Sequence, residues 1–256
     1  MALLRDHLLI VVVCLAALLP QSDARAEATF IVAAHEWAPF SSRDAKYFGI
    51  APRIVSDILQ GQGIEVKYRF MGWSAALDGV ITREFDGAIV WVTEDLHRES
   101  FLISDPILEY RTALYYRKNT PEPKTADDLI GHRMGIDPEY VYDLTSYRLL
   151  RKGSIKPVEG VTDTEHLRNL LEGKIDFYAS PILTESPLLR NSLSKEEQNA
   201  LTYSSNLFKF PAPHLVVNRN REGSAEFMRL FNLRLNRMKN DGTVERYINE
   251  FRFTEY

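Results

Sequence analysis

The sequence predicts an α/β protein made of two successive units of parallel-rich sheet with flanking helices, and three observations carry that expectation. Residues 28–92 alternate strand, helix, strand, helix, strand by hydrophobic pattern, which is the signature of a parallel βαβ sheet. A proline-punctuated break at 119–124 (NTPEPK) precedes a second alternation of the same kind. The run Glu84-Phe85-Asp86-Gly87-Ala88-Ile89, a helix end followed by an aspartate and a buried strand, recurs as Gly173-Lys174-Ile175-Asp176-Phe177-Tyr178-Ala179-Ser180.

The elements follow in order. Residues 28–34 (ATFIVAA) read as the first strand, leading into His35-Glu36-Trp37-Ala38-Pro39-Phe40. Residues 49–63 place Ile50, Ile54 and Ile58, with Val55 and Leu59, at helical spacing between glycines. Residues 65–70 (EVKYRF) alternate as a strand, and 74–85 form a helix that Ser74 can cap. Residues 88–92 (AIVWV) are short and apolar enough for a buried strand. Ser104-Asp105-Pro106 signals a turn before the long strand at 110–118. In the second unit, Thr125 caps a helical turn, 131–136 is a strand, 140–151 a helix and 156–158 a strand. A helix at 163–172 is capped by Thr162 or Asp163. The chain then passes Pro211 and Pro213 into a strand at 214–217 and ends in two helices split at Asn240-Asp241-Gly242.

Residues 1–26 read as a cleaved signal peptide. Arg5 begins it, residues 8–19 are apolar, and Ala24-Arg25-Ala26 fits a small-residue cleavage site before Glu27. A membrane anchor needs about 20 apolar residues, more than this run supplies. Cys14, the only cysteine, lies within the apolar run, with lipid attachment there as the alternative. A secreted chain without disulfides must rely on core size, and 45% hydrophobic residues supply one. A net charge of −4 argues against nucleic acid as a partner. The six histidines are scattered, so no metal or other cofactor is expected.

Ligands of parallel sheets bind beyond the carboxyl ends of the strands. The stretches 35–40, 70–73 and 91–98 each follow a strand and are expected to gather at one edge. They bring Trp37, Phe40, Trp73 and Trp91 together with Arg98, whose planar guanidinium suits a carboxylate.

The order of parts resembles the periplasmic solute-binding proteins of ABC importers, family 3, the polar amino-acid binders. The resemblance spans residues 27–256. It rests on Glu36-Trp37-Ala38-Pro39-Phe40, residues 86–98 and 101–106, and Thr125-Ala126-Asp127-Asp128-Leu129-Ile130-Gly131. Leu171-Glu172-Gly173-Lys174-Ile175-Asp176 and Lys239-Asn240-Asp241-Gly242-Thr243 complete it. It implies a type II periplasmic binding fold: two lobes joined by a two-strand hinge that closes on ligand. Residues 27–111 and 212–256 would form lobe 1, and 112–211 lobe 2. It also implies that Arg98, twelve positions after Asp86, holds a ligand carboxylate.

Lobe 2 departs from the family pattern. Asp137-Pro138 stands where the family has Gly-Thr, and Pro181 stands at the position of the aspartate that receives a ligand ammonium. Asp137 or Glu139 could take over that cation, and Tyr140 and Ser180 supply hydroxyls. The expectation is a monomeric, non-enzymatic periplasmic protein that binds a small polar solute, amino-acid-like or carboxylate-bearing. It would deliver that solute transiently to a membrane ABC permease. A dehydratase-like enzyme, with His97, Glu36, Asp137 or Glu139 as acid or base, and a ligand-presenting sensor module are the alternatives.

Overall fold

The computed structural model describes residues 28–91, 99–136, 148–150, 152–160, 162–182, 192–205 and 211–252. Among the described residues, ten strands form two five-stranded sheets. β1 (Ala28–Ala34), β2 (Ile64–Phe70), β3 (Gly87–Trp91), β4 (Phe101–Ile103) and β10 (Pro213–Asn218) lie in the order β2-β1-β3-β10-β4. β5 (Thr112–Arg117), β6 (Arg133–Ile136), β7 (Lys156–Glu159), β8 (Phe177–Pro181) and β9 (Leu201–Ser205) lie in the order β7-β6-β8-β5-β9. In each sheet four strands run one way and one runs against them. The reversed strands are β10 and β5, each antiparallel to both of its neighbours. Each is also the strand that has just crossed from the other lobe. The fold is therefore two-lobed α/β, with parallel-rich sheets.

Helices cover the sheets where their apolar faces dictate. α1 (Ile50–Gln60) buries Ile50, Ile54 and Ile58 beside Ala51, Val55 and Leu59. These are i, i+4 rows of one helical face. α5 (Ser224–Asn240) buries Met228, Phe231 and Leu235, and α6 (Thr243–Arg252) adds Val244, Ile248 and Phe251. These three helices pack on Val32, Ile89, Leu215 and Val217. α2 (Trp73–Thr82) covers the opposite face through Ala76 and Val80 against Ala33, Ala88, Val90 and Val216. In lobe 2, α3 (Asp163–Leu171) sets Leu167 and Leu170 on Ala113, Tyr115 and Tyr178.

Local chemistry explains most element ends. Thr162 caps α3 by accepting from the Glu165 N–H at 3.2 Å. Thr125 and Asp128 form a reciprocal capping box on the 3₁₀ turn Ala126–Leu129. Ser74 is not a cap: α2 begins one residue earlier, at Trp73, after an extended Gly72. Several elements were not anticipated, among them the short edge strand β4 and the 3₁₀ turn Lys46–Phe48. α4 (Lys195–Ala200) is started by a Ser194/Glu197 capping box, and β9 follows it directly.

The repeated aspartate motif is a strand lock, used once per lobe. The Asp86 N–H donates to the Ile31 carbonyl at 2.9 Å, and its carboxylate accepts from the Ile31 N–H at 2.7 Å and pairs with Arg221. Asp176 does the same with Arg133: its N–H reaches the Arg133 carbonyl at 2.8 Å and its carboxylate takes the Arg133 N–H at 2.9 Å. The reversed strands repeat a device too. Asn218 donates to the Val80 and Ile81 carbonyls at the end of α2. Arg117, in the corresponding register, donates to the Leu170 carbonyl at the end of α3 and to the Ile175 carbonyl just before β8. Helix carbonyls without helical partners are satisfied in both lobes.

Candidate ligand-binding site

The carboxyl ends of β1 and β2 lie side by side, with Ala34 opposite Phe70. β3 joins β1 through Val32–Gly87 and Ala33–Ala88. The loops after β1 and β2 therefore open at one edge, as the βαβ pattern predicts. The Met71 N–H donates to the Ala34 carbonyl at 3.0 Å, which ties the two loops together at their roots. His35 Nδ1 lies 3.3 Å from the Met71 carbonyl oxygen, so the proton on Nδ1 is the one that makes this contact. Its ring lies 4.6 Å from that of Trp73, tilted by 30°.

The stretch from Trp37 to Ser41 is a tight loop closed on itself. The Trp37 N–H donates to the Ser41 carbonyl at 2.6 Å and the Ser41 N–H returns to Trp37 at 2.9 Å. Trp37 meets Phe40 edge-on at 5.4 Å, and Phe40 lies 4.7 Å from Tyr110. Such aromatic pairs add about 0.5–1.5 kcal/mol beyond the area they bury. The loop then docks on the start of α1, where the Pro39 and Phe40 carbonyls accept from the Ile50 and Ala51 N–H groups. Gly49 makes this possible. Its φ is +102°, and a Cβ there would stand 2.8 Å from the Phe40 oxygen and 2.9 Å from that of Pro39. Gly49→Ala is expected to cost about 1–3 kcal/mol through backbone strain alone. A lowered denaturant midpoint at unchanged slope is the readout, and an unchanged midpoint would refute the close approach.

The proposed site residues occupy different settings. Trp37 is nearly buried and Trp73 half-buried. Phe40 is fully buried beneath Trp37 and Tyr110, so in this conformation it supports the loop and offers no surface of its own. Trp91 closes β3 opposite Pro213. Ser180 sits on β8 opposite Ala113, fully buried, and its hydroxyl has no hydrogen-bond partner among the described residues. Pro181 pairs with Thr112, the register that Trp91 holds with Pro213 in lobe 1. Arg98, Asp137 and Tyr140 lie outside the described residues, as do His97 and Glu139. Glu36 is committed to its own loop: it accepts from Ser42 and from the Arg43 N–H at 3.1 Å. Among the described residues no cluster of three or more His, Cys, Asp or Glu could hold a metal ion.

Two residues were not singled out from the sequence. His35 belongs beside Trp73, and its place as the first residue after a strand could have suggested it. Tyr110 closes the aromatic group from the other side, and only the crossing of the lobes brings it there.

Several known proteins are similar to this chain. An L-cystine-binding protein of Bacillus subtilis is 23% identical over 215 residues, covering 82% of this chain and 75% of that protein. A Streptococcus pneumoniae amino acid ABC transporter substrate-binding protein, solved with L-arginine, matches with a TM-score of 0.66 at 16% identity. The match covers 89% of this chain and 96% of that one. A histidine kinase sensor domain with similarity to periplasmic binding proteins gives 0.65 at 17% identity, covering 87% and 95%. At these identities the solved structures speak for the fold alone, a two-lobed type II binding fold. The sequence profile of the bacterial extracellular solute-binding proteins, family 3, matches residues 30–255, nearly the whole described chain, and the chain belongs to that family.

Proposed function

We propose that the protein binds a small polar solute, amino-acid-like or carboxylate-bearing, outside the cytoplasmic membrane and delivers it to an ABC importer. Family membership across residues 30–255 carries this reading. The aromatic edge built by His35, Trp37 and Trp73 supports it, because small-molecule sites combine apolar walls with a few placed polar groups. Residues 1–26 act as the export signal, and the mature chain works as a monomer in the periplasm. Trp37, Trp73 and Trp91 pack the solute, with Phe40 holding Trp37 in place. Arg98 fixes its anionic end, and Asp137, Tyr140 and Ser180 complete the enclosure when the lobes close about the two crossing strands. The solute leaves unchanged; the protein is not an enzyme.

A thermal-shift screen against amino acids, amines, carboxylates and small peptides identifies a binding compound. X-ray scattering of the chain with and without that compound is then expected to show a smaller radius of gyration at saturation. An unchanged radius would refute closure. Chemical conversion of the compound would refute the binding role in favour of an enzyme.

A further inference from the structure

We infer that the solute carries a quaternary ammonium, a nitrogen with carbon on all four bonds, and that Trp37 and Trp73 hold it by their rings. The inference rests on the solute-binding reading above and names the chemical class of the solute. It is a betaine, with a carboxylate at one end and a fully methylated cation at the other.

The chain has three tryptophans, and all three stand at the carboxyl ends of adjacent strands. Trp37 follows the last residue of β1 by three positions, Trp73 follows the last residue of β2 by three, and Trp91 is the last residue of β3. The β1–β2 register sets Ala34 beside Phe70, so the Trp37 and Trp73 loops leave the sheet together. His35 adds a ring 4.6 Å from Trp73, and Phe40 and Tyr110 stand 5.4 Å and 6.3 Å from Trp37. The rest of both cores is filled without tryptophan. Packing alone therefore does not account for gathering every indole at one edge.

The chemistry of these walls selects the cation. An ordinary ammonium has N–H donors, and enclosing them without acceptors forfeits their hydration. Residues 35–41 and 71–73 contain one carboxylate, Glu36, and it is turned back on Ser42 and Arg43. In lobe 2, β6 ends at Ile136 and β8 at Pro181, and neither side chain accepts a hydrogen bond. A quaternary ammonium has no N–H and asks for no acceptor. Its diffuse charge is drawn to the negative face of an aromatic ring, to indole most of all, and most strongly where water is excluded. Trp37 is only 9% exposed, which meets that condition. An aliphatic wall would enclose the methyl groups equally well and give the charge nothing. Glu94, Asp95, Asp137 and Glu139 follow β3 and β6 outside the described residues, and an ammonium held by any of them shows in the amine arm of the test.

Calorimetry of the mature chain with two sets of three compounds decides. Each set keeps the carboxylate and changes the other end. The first is trimethylglycine, its uncharged isostere tert-butylacetate, and glycine. The second is γ-butyrobetaine, its uncharged tert-butyl isostere, and γ-aminobutyrate. In at least one set the betaine should bind about ten-fold tighter or more than both of its partners. Trp73→Leu keeps an apolar wall without the ring. It should bring the betaine within about two-fold of its isostere in that set while changing the isostere's own affinity far less. Trp73→Phe should fall between, and it serves if the leucine variant does not fold. An isostere or a primary amine that binds as tightly as the betaine in both sets overturns the assignment. So does a Trp73 variant that weakens betaine and isostere alike, the mark of lost packing alone. If none of the six binds, the class is wrong. The solute-binding reading then stands if the thermal-shift screen yields any other compound, and falls if it yields none.

Discussion

Asp176→Ala is expected to lower stability by about 3 kcal/mol, read from denaturant unfolding. The carboxylate holds lobe 2 at the start of β6 and β8 together. It takes the Arg133 backbone N–H at 2.9 Å and the Arg133 side chain through Nε at 3.1 Å and Nη2 at 2.8 Å. Arg117 Nη2 stands 3.4 Å away. Removing one partner of a buried pair costs about 3–5 kcal/mol because the other charge is left stranded. Arg133 is 42% exposed, and solvent there recovers part of that. The counterpart Asp86→Ala gives up one backbone bond and the half-exposed Arg221. It should cost about half as much. Equal losses at the two positions would show that the locks are interchangeable, contrary to their contacts.

The same carboxylate makes lobe 2 acid-sensitive. Burial pushes the Asp176 carboxyl up, but the paired Arg133 donors, the Arg133 backbone N–H and nearby His132 outweigh it and hold it at about 2, below the ordinary 3.8. The unfolded chain then binds the proton first as pH falls, so the folded state is disfavoured on acidification. The contribution is complete above about pH 4 and is lost as pH falls towards 2, roughly 1–2 kcal/mol after allowing for the exposed side of Arg133. Melting curves for the native chain and Asp176→Asn between pH 5 and 2 should converge as pH falls. Curves that stay parallel would remove Asp176 from the acid response.

What could be read from residues alone divides along physical lines. α1 and α5 were legible because their apolar rows repeat at helical spacing and glycine or asparagine ends them, and α6 because Asn240-Asp241-Gly242 splits it from α5. The strand-end rule sets the Trp37 and Trp73 loops on one edge, where the Ala34–Phe70 register puts their roots. The Asp86 and Asp176 repeat was visible as a pattern, but not its purpose. Its partners, Ile31 and Arg133, lie 55 and 43 residues away in the sequence, a pairing only the sheet register creates. α4 was missed although Ser194 and Glu197 stand at capping-box spacing, because six residues are too few to show a hydrophobic period. Phe40 and Tyr110 show the converse limit. An aromatic in a loop reads equally as a ligand wall or a loop support, and the crossing strand decides which.

Arg98→Ala should weaken binding of the compound found by screening by roughly 2–5 kcal/mol, the cost of leaving a buried anionic partner unpaired. Arg98 stands twelve positions after Asp86, the spacing at which the family resemblance implies a carboxylate-binding arginine. At the place of the ammonium-binding aspartate stands Pro181, locked in the β8 ladder opposite Thr112 and unable to accept a cation through its side chain. An ammonium enclosed without a carboxylate loses its hydration with nothing in return. The preferred solute is therefore expected to keep an anionic or strongly polar end and to lack a free α-ammonium, provided that neither Asp137 nor Glu139 stands in for the missing aspartate. Calorimetry separates the two halves. Carboxylates should bind more tightly than the α-amino acids of matching side chain, and Arg98→Ala should erase binding of both. If Asp137→Asn or Glu139→Gln removes binding of an α-amino acid that the native chain holds at micromolar strength, the substitute carboxylate is identified and the ammonium-free solute is ruled out. If Arg98→Ala binds as the native chain does, the arginine is not the anion site.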